Sequence, residues 1–138
     1  MPFEPFDRII CFNVNDHSFQ VLPNQVSVNR KGHRCAFIPN TNKIIMTGGY
    51  YTEILDTTDG SVTTASHMNS ARYDHGIGVL TMKGQERLVV FGGRGNDSVE
   101  VYNTKTEKWE TTDIKLKEPK HSFGFLSLKL SDIISNLS

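Results

Sequence analysis

The stretch VVFGGRGNDSVEVYNTKTEKW, Val89 to Trp109, decides the fold. An apolar run ends on Gly92-Gly93 and a short polar loop follows. Val99-Glu100-Val101-Tyr102 then alternates, and the sole tryptophan comes after a second turn. A short, fully apolar, β-branched run suits a strand in the middle of a stack. Glycine at the end of such a strand marks backbone with positive φ, or a close approach that a Cβ would block.

The arrangement occurs twice. Lys43-Ile44-Ile45-Met46-Thr47-Gly48-Gly49 reads like Arg87-Leu88-Val89-Val90-Phe91-Gly92-Gly93, and EILDTTDGSV (Glu53 to Val62) lies over EVYNTKTEKW (Glu100 to Trp109) without a gap. CFNVNDHSF (Cys11 to Phe19) supplies a third copy of the latter piece. Upstream of the glycine pairs, HRCAFI (His33 to Ile38) matches HGIGVL (His75 to Leu80) and returns as HSFGFL (His121 to Leu126). Repetition at a period of roughly 40 to 50 residues points to solenoids, propellers or arrays. Because the glycine pair recurs with the same neighbours, a packing need shared by the units explains it. A phosphate-cradling loop would instead need a helix after the glycines, whereas here a strand follows. Gly76-Ile77-Gly78, inside a strand, is an equally poor dinucleotide fingerprint.

Composition narrows the function classes. The 138 residues hold 15 acids and 15 bases, so no net field favours nucleic acid or an anionic membrane, and neither is expected as a partner. No apolar run approaches the roughly 20 residues that span a bilayer. MPFEPFDRII lacks the basic and then apolar order of a signal peptide, which predicts a cytoplasmic protein. Cys11 and Cys35 form no CxxC pair, and each falls in a predicted strand, so both are expected to be small buried thiols in a reducing compartment. Asn96-Asp97-Ser98 and Asn136-Leu137-Ser138 match the glycosylation sequon, a pattern common by chance.

One unit reads as four strands: Gly76–Leu80, then Leu88–Phe91 after a polar hairpin turn at 82–86, then Val99–Tyr102, and Trp109–Ile114 after a turn at 103–108. Short strands at even spacing with turn signals between them predict an antiparallel all-β unit. A helical period is suggested only in the last residues after Ser131.

These residues resemble the kelch repeat, in which an Arg/His start leads through an apolar run closed by a double glycine to a Val-Glu-x-Tyr-Asn/Asp segment and a tryptophan. Arg72 and His75, Val89–Phe91, Gly92-Gly93, Glu100-Val101-Tyr102-Asn103 and Trp109 fill every part. In the preceding repeat His33, Gly48-Gly49 and Glu53-Ile54-Leu55-Asp56 fit, but Leu55 replaces the tyrosine and Val62 the tryptophan, which buries less area between units. The expected organisation is a half repeat at 8–28, whole repeats at 29–70 and 71–117, a front half at 118–130, where Lys120 replaces the usual arginine, and a tail at 131–138.

The resemblance implies an all-β fold of kelch-type propeller blades, each repeat one four-stranded blade. Propellers need at least four blades to close, and two blades with two halves fall short. An outer face leaving ~400 Å² of apolar surface open forgoes on the order of 10 kcal/mol at about 25 cal/mol per Å², comparable to a whole domain's stability of about 5–15 kcal/mol. The ring is therefore expected to be incomplete. Three explanations compete: a truncated product, self-association of chains to complete the propeller, or a short splice form. The terminal SLKLSDIISNLS favours truncation, because it abandons the repeat where the apolar run and glycine pair should come.

Recognition of another protein is the function this architecture implies, with no cofactor and no metal. His33, His75 and His121 recur once per repeat, so they are spread around a ring rather than gathered on one ion, and each is expected to be structural. Glu53, Asp56 and Asp59 resemble paired carboxylates, but Asp59-Gly60 is more simply a hairpin turn. By resemblance, the partner rim would be formed by Tyr50 and Tyr51 after the first glycine pair, Arg72 and Tyr73 before a first strand, and Arg94 and Asn96 after the second pair. Arg94 offers a guanidinium suited to a carboxylate, unless a neighbouring acid takes it. Delivery of substrates to a ubiquitin ligase would follow in a longer chain with a BTB or F-box region. An enzyme of the galactose-oxidase or sugar-epimerase kind is the alternative, and a fragment with no independent function is another.

Overall fold

The computed structural model describes residues 8–27 and 31–123. Ten strands occupy them: β1 (Arg8–Phe12), β2 (Phe19–Gln25), β3 (Arg34–Phe37), β4 (Lys43–Gly48), β5 (Tyr51–Asp56), β6 (Val62–Thr64), β7 (Gly76–Met82), β8 (Gln85–Phe91), β9 (Ser98–Asn103) and β10 (Lys108–Lys115). They form a β1–β2 hairpin and two four-stranded antiparallel sheets, β3-β4-β5-β6 and β7-β8-β9-β10, each in simple chain order. No closed ring is present among the described residues, and none of their helices is long and apolar enough to cross a membrane. The expected helical tail and most of the C-terminal half repeat lie outside the described residues.

The two sheets repeat each other in register. Across the first, Phe37–Ile44–Leu55–Val62 and Cys35–Met46–Glu53–Thr64 form rows on one face. Across the second, Val79–Leu88–Tyr102–Trp109 and Ile77–Val90–Glu100–Thr111 form the corresponding rows. The hairpin repeats the back half of this pattern, pairing Phe12 with Phe19 as the second sheet pairs Tyr102 with Trp109. Ring centroids are 4.9 Å apart in the hairpin and 5.1 Å apart in the sheet. The turns agree as well. His17 (φ 58°), Gly60 (φ 74°) and Glu107 (φ 55°) hold the same left-handed position in the three copies.

The sheets pack face to face, and the core lies in the seam. Ile45, Ile54 and Ile38 of the first unit meet Ile77, Leu88, Val90, Tyr102 and Trp109 of the second, with Ala36, Ala65 and Val79 at the margin. Trp109 also donates from Nε1 to Thr52 Oγ1 at 3.0 Å, tying β10 to β5 across the seam. Val62, at the tryptophan's place in the first sheet, is only half-buried. The turn between β7 and β8 is tighter than the sequence suggests. Lys83 (φ 50°) and Gly84 (φ 74°) alone make it, a two-residue connection whose left-handed residues match strand twist.

Both glycine pairs do the same work. Gly49 (φ 61°) exchanges backbone hydrogen bonds with Arg72 at 2.9 and 2.8 Å, and Gly93 (φ 110°) donates to the Lys120 carbonyl at 2.7 Å. The chain entering the next unit is laddered onto each pair. A Cβ on Gly92 (φ 69°) would sit 2.7 Å from the Lys120 carbonyl oxygen. Gly92→Ala is therefore expected to lose about 1–3 kcal/mol from the left-handed backbone, plus the cost of displacing that carbonyl. Gly84→Ala, with nothing within 4 Å, should lose only the backbone part. Chemical denaturation of the two variants measures the difference.

The cysteines correct the sequence reading: both are exposed. Cys35 occupies the place in the first sheet that buried Ile77 holds in the second, but its face has no full sheet over it. Cys11 sits in the two-stranded hairpin, which is too narrow to bury its own side chains.

Candidate functional site

The loops at one end of the seam bring together most of the residues expected at a partner rim. Tyr50 and Tyr51 follow the first glycine pair, and Tyr73 lies on the segment laddered to it. Tyr73's hydroxyl and Tyr51's ring both lie over Gly49, at 3.4 and 3.7 Å from where its Cβ would be. His67 meets Tyr51 edge-on at a centroid distance of 5.2 Å. Tyr50, Tyr51 and Tyr73 are 52%, 42% and 45% exposed, which leaves three aromatic rings available to another molecule. Such rings contribute large contact area with little rotamer entropy to lose, and Tyr is enriched at binding hot spots.

Beside the aromatic group stands a charged one. Arg94 donates from Nε to Asp74 Oδ2 at 2.8 Å, and its Nη2 lies 2.8 Å from the same oxygen. Arg34 approaches the other carboxylate oxygen at 3.9 Å. The hydrogen bond from Arg94 holds the Asp74 carboxyl below the usual carboxylate range, with the charges of Arg94, Arg34 and His121 adding to it. The Arg94 fork is thus occupied by a neighbouring acid, although its side chain stays two-thirds exposed. Asp74 itself has a left-handed backbone (φ 54°), and its amide donates to the Gly32 carbonyl at 2.9 Å, so it is fixed in place.

Arg72 and Asn96 belong elsewhere. Arg72 was expected at the rim and is instead fully buried. Its Nη1 donates to the carbonyls of Gly92 (2.8 Å) and Ser98 (2.9 Å), and its Nη2 to Ser98 Oγ (2.7 Å) and Glu100 Oε1 (2.9 Å). Glu100 also accepts from the amides of Asn69 and Ser70 and from Asn69 Nδ2. This ion pair staples the incoming segment to the glycine loop and β9, and a guanidinium so enclosed touches no partner. Burial pushes it below its ordinary value while Glu100 pulls it back. Asn96 is half-buried: its Oδ1 accepts from Ser98 N and Oγ, and its Nδ2 reaches the Ala71 carbonyl at 3.4 Å, so it organises the loop.

The repeat histidines diverge. His75 is fully buried, and its Nε2 lies 2.7 Å from Thr47 Oγ1 across the seam. His33 and His121 are exposed. The reason lies in the neighbour each would need. His75 finds a hydroxyl on the second strand of the preceding sheet. The hairpin before His33 has no such strand among the described residues, and Phe91 holds the Thr47 place before His121. No group of three or more His, Cys, Asp or Glu side chains among the described residues is placed to hold a metal ion. A cleft of about 260 Å³ lies on the seam, lined by Lys43, Ile54, Thr63, Ala65, Thr106 and Glu107. It contains none of the rim residues.

Sequence reading missed Asp74, Arg34 and His67 as rim members, and Thr47 and Thr52 as seam anchors. Asp74 lies between Tyr73 and His75, and its neighbours were the available signal. The threonines carried none, because the second repeat has Phe91 and Val99 at their places.

A family model described as the Kelch motif matches residues 72–112. No curated protein matches the chain.

Proposed function

From the match of residues 72–112 to the Kelch motif and the repetition of that unit along the sequence, we propose that this chain is a kelch-type protein-interaction module whose loop rim, built around Tyr50, Tyr51 and Tyr73, recognises another protein. The observation that carries the reading is the exposure of these three rings over a rigid base. Gly49 and Arg72 are laddered in both directions beneath them, and Arg72 is itself clamped by Glu100. Recognition loops held on a rigid scaffold lose little entropy when they bind. Arg94 and Arg34 border the patch with charge already shared with Asp74, so they serve orientation more than affinity. The proposal contains no chemical step. It includes a cytoplasmic setting, supported by the unpaired thiols of Cys11 and Cys35. In a longer chain with a BTB or F-box region, the same rim would be the substrate-recognition face of a ubiquitin-ligase adaptor.

The test is capture of partners from lysate with the wild-type chain and with a Tyr50→Ala/Tyr73→Ala variant, followed by calorimetry on any partner identified. Loss of about 2 kcal/mol, roughly thirtyfold in affinity, with an unchanged melting temperature is the expected result. A partner bound equally well by both chains would refute the rim assignment.

A further inference from the structure

The cleft of about 260 Å³ opens on the seam beside β6, the last strand of the first sheet. One wall is that sheet, with Lys43 at the start of β4 and Thr63, Thr64 and Ser66 along and just beyond β6. The other wall is the turn between β9 and β10, which contributes Thr106 and Glu107. Both walls are fixed by their own hydrogen bonds. Asn103 Oδ1 accepts from the amides of Lys105 and Thr106 at 3.0 and 3.2 Å, and Glu107 is set in a left-handed conformation (φ 55°). Opposite, Lys43 N donates to Thr41 Oγ1 at 3.1 Å, and Ala65 N donates to the Thr52 carbonyl at 2.9 Å.

The polar groups of the cleft differ from those elsewhere in the seam. The hydroxyls of Thr47 and Thr52 are engaged, by His75 and Trp109. Those of Thr63, Thr64, Ser66 and Thr106 have no hydrogen-bond partner among the described residues. Lys43 and Glu107 likewise have no ion-pair partner there and do not pair with each other. Tyr102 packs with Ile54 in the seam core, and its hydroxyl is buried without a partner. Burial, and then the charge of Glu107, push that hydroxyl above its ordinary value, so the carboxylate lies close enough to the seam interior to act on it.

We propose that this cleft binds a small zwitterion of the amino-acid or dipeptide class, with its carboxylate on Lys43 and its ammonium on Glu107. Opposite charges on two fixed walls are answered together only by a ligand that carries both. A simple anion or cation leaves one wall charge without a partner, and a neutral ligand answers neither. The hydroxyls donate and accept, so they suit the amide of a peptide link. The described lining holds no aromatic ring on which a nucleobase would stack. Size agrees as well. The cleft's volume of about 260 Å³, at about 30 Å³ for each water-sized group, takes roughly nine non-hydrogen atoms, the size of glycylglycine. Because the walls are already ordered, binding costs little rearrangement.

Glycylglycine titrated into the full isotope-labelled chain, and followed by backbone amide shifts, tests the assignment. Saturable shifts are expected at residues 63–66 and 106–107 but not at Tyr73 or Arg94, with a dissociation constant on the order of 1 mM for so few atoms. Acetylating the ligand's amine, or amidating its carboxylate, should each weaken binding about tenfold. Lys43→Met should remove the preference for the free carboxylate and Glu107→Gln the preference for the free amine. The two capped peptides carry the test on the wild-type chain if a variant misfolds. Shifts that never saturate, capped peptides that bind as well as the free one, or a folded Lys43→Met chain that still prefers the free carboxylate overturn the proposal.

Discussion

Arg72→Ala is expected to lower the stability of the chain by about 3–5 kcal/mol, a large part of the roughly 5–15 kcal/mol that holds an ordinary domain together. The size follows from what the truncation leaves behind. Glu100 keeps its hydrogen bonds from Asn69 and Ser70 but loses the Arg72 ion-pair partner inside a seam where both side chains are fully enclosed. The carbonyls of Gly92 and Ser98 and the Ser98 hydroxyl each lose a donor at the same time. A buried charge stripped of its counter-charge costs far more than an exposed one, because no water can replace the missing donor. Replacing both partners, Arg72→Leu with Glu100→Leu, should cost less than the sum of the single changes, and the coupling is read from a double-mutant cycle by urea denaturation. A rim role for Arg72 predicts the reverse: lost binding at constant stability. Destabilisation below about 1 kcal/mol would rule out the staple, because breaking such a pair is never that mild when both groups are dry.

The fold was legible in the sequence because its determinants are local and repeated. Gly48-Gly49 and Gly92-Gly93, the alternation at Glu53 and Glu100, and the turn equivalents His17, Gly60 and Glu107 all report backbone conformation, which neighbouring residues dictate. Even the pairing within the hairpin followed from the alignment of Phe12 and Phe19 with Tyr102 and Trp109. What sequence could not supply was which copy of a repeated residue is covered. Cys35 and Ile77 are the same position, as are His33 and His75, yet one of each pair is exposed and the other buried, because burial depends on a neighbouring sheet and not on the residue's own segment. Arg72 was misplaced for a related reason. An arginine beside an exposed tyrosine reads as a surface charge until Glu100, 28 positions away, is seen beside it. Among the tyrosines expected at the rim, Tyr50 and Tyr51 were singled out because they follow a glycine pair, and Tyr73 because it precedes a first strand. Their clustering over Gly49 was not predictable, since it depends on the ladder between Gly49 and Arg72.

The second large effect is on pH. Enclosure in the seam pushes the His75 imidazole down to about 4 from an ordinary value of 6.5, helped by the charges of Arg72 and Arg34 and opposed by Asp74. Its surroundings show why the proton is refused. The Thr47 hydroxyl reaches the Arg34 carbonyl at 3.4 Å, which leaves its lone pairs for a proton on His75 Nε2. A second proton would go to Nδ1, which is buried and has no hydrogen-bond partner. Between pH 6.5 and about 4 the unfolded chain therefore binds a proton at this position that the folded chain does not. Stability falls with falling pH wherever the unfolded state holds more protons, so the loss begins near 6.5 and is complete near 4. At about 1.4 kcal/mol per unit the total is on the order of 3 kcal/mol. The Asp74 carboxyl, held below its ordinary 3.8, weakens the fold only at more acid pH, so the two effects separate along the axis. Denaturation of the wild-type chain and of His75→Gln across this range isolates the contribution. The variant should start less stable, having exchanged the Thr47 contact, but decline less steeply. Parallel slopes in the two chains would mean that His75 is not the group refusing the proton, and that the seam is open to water at its buried edge.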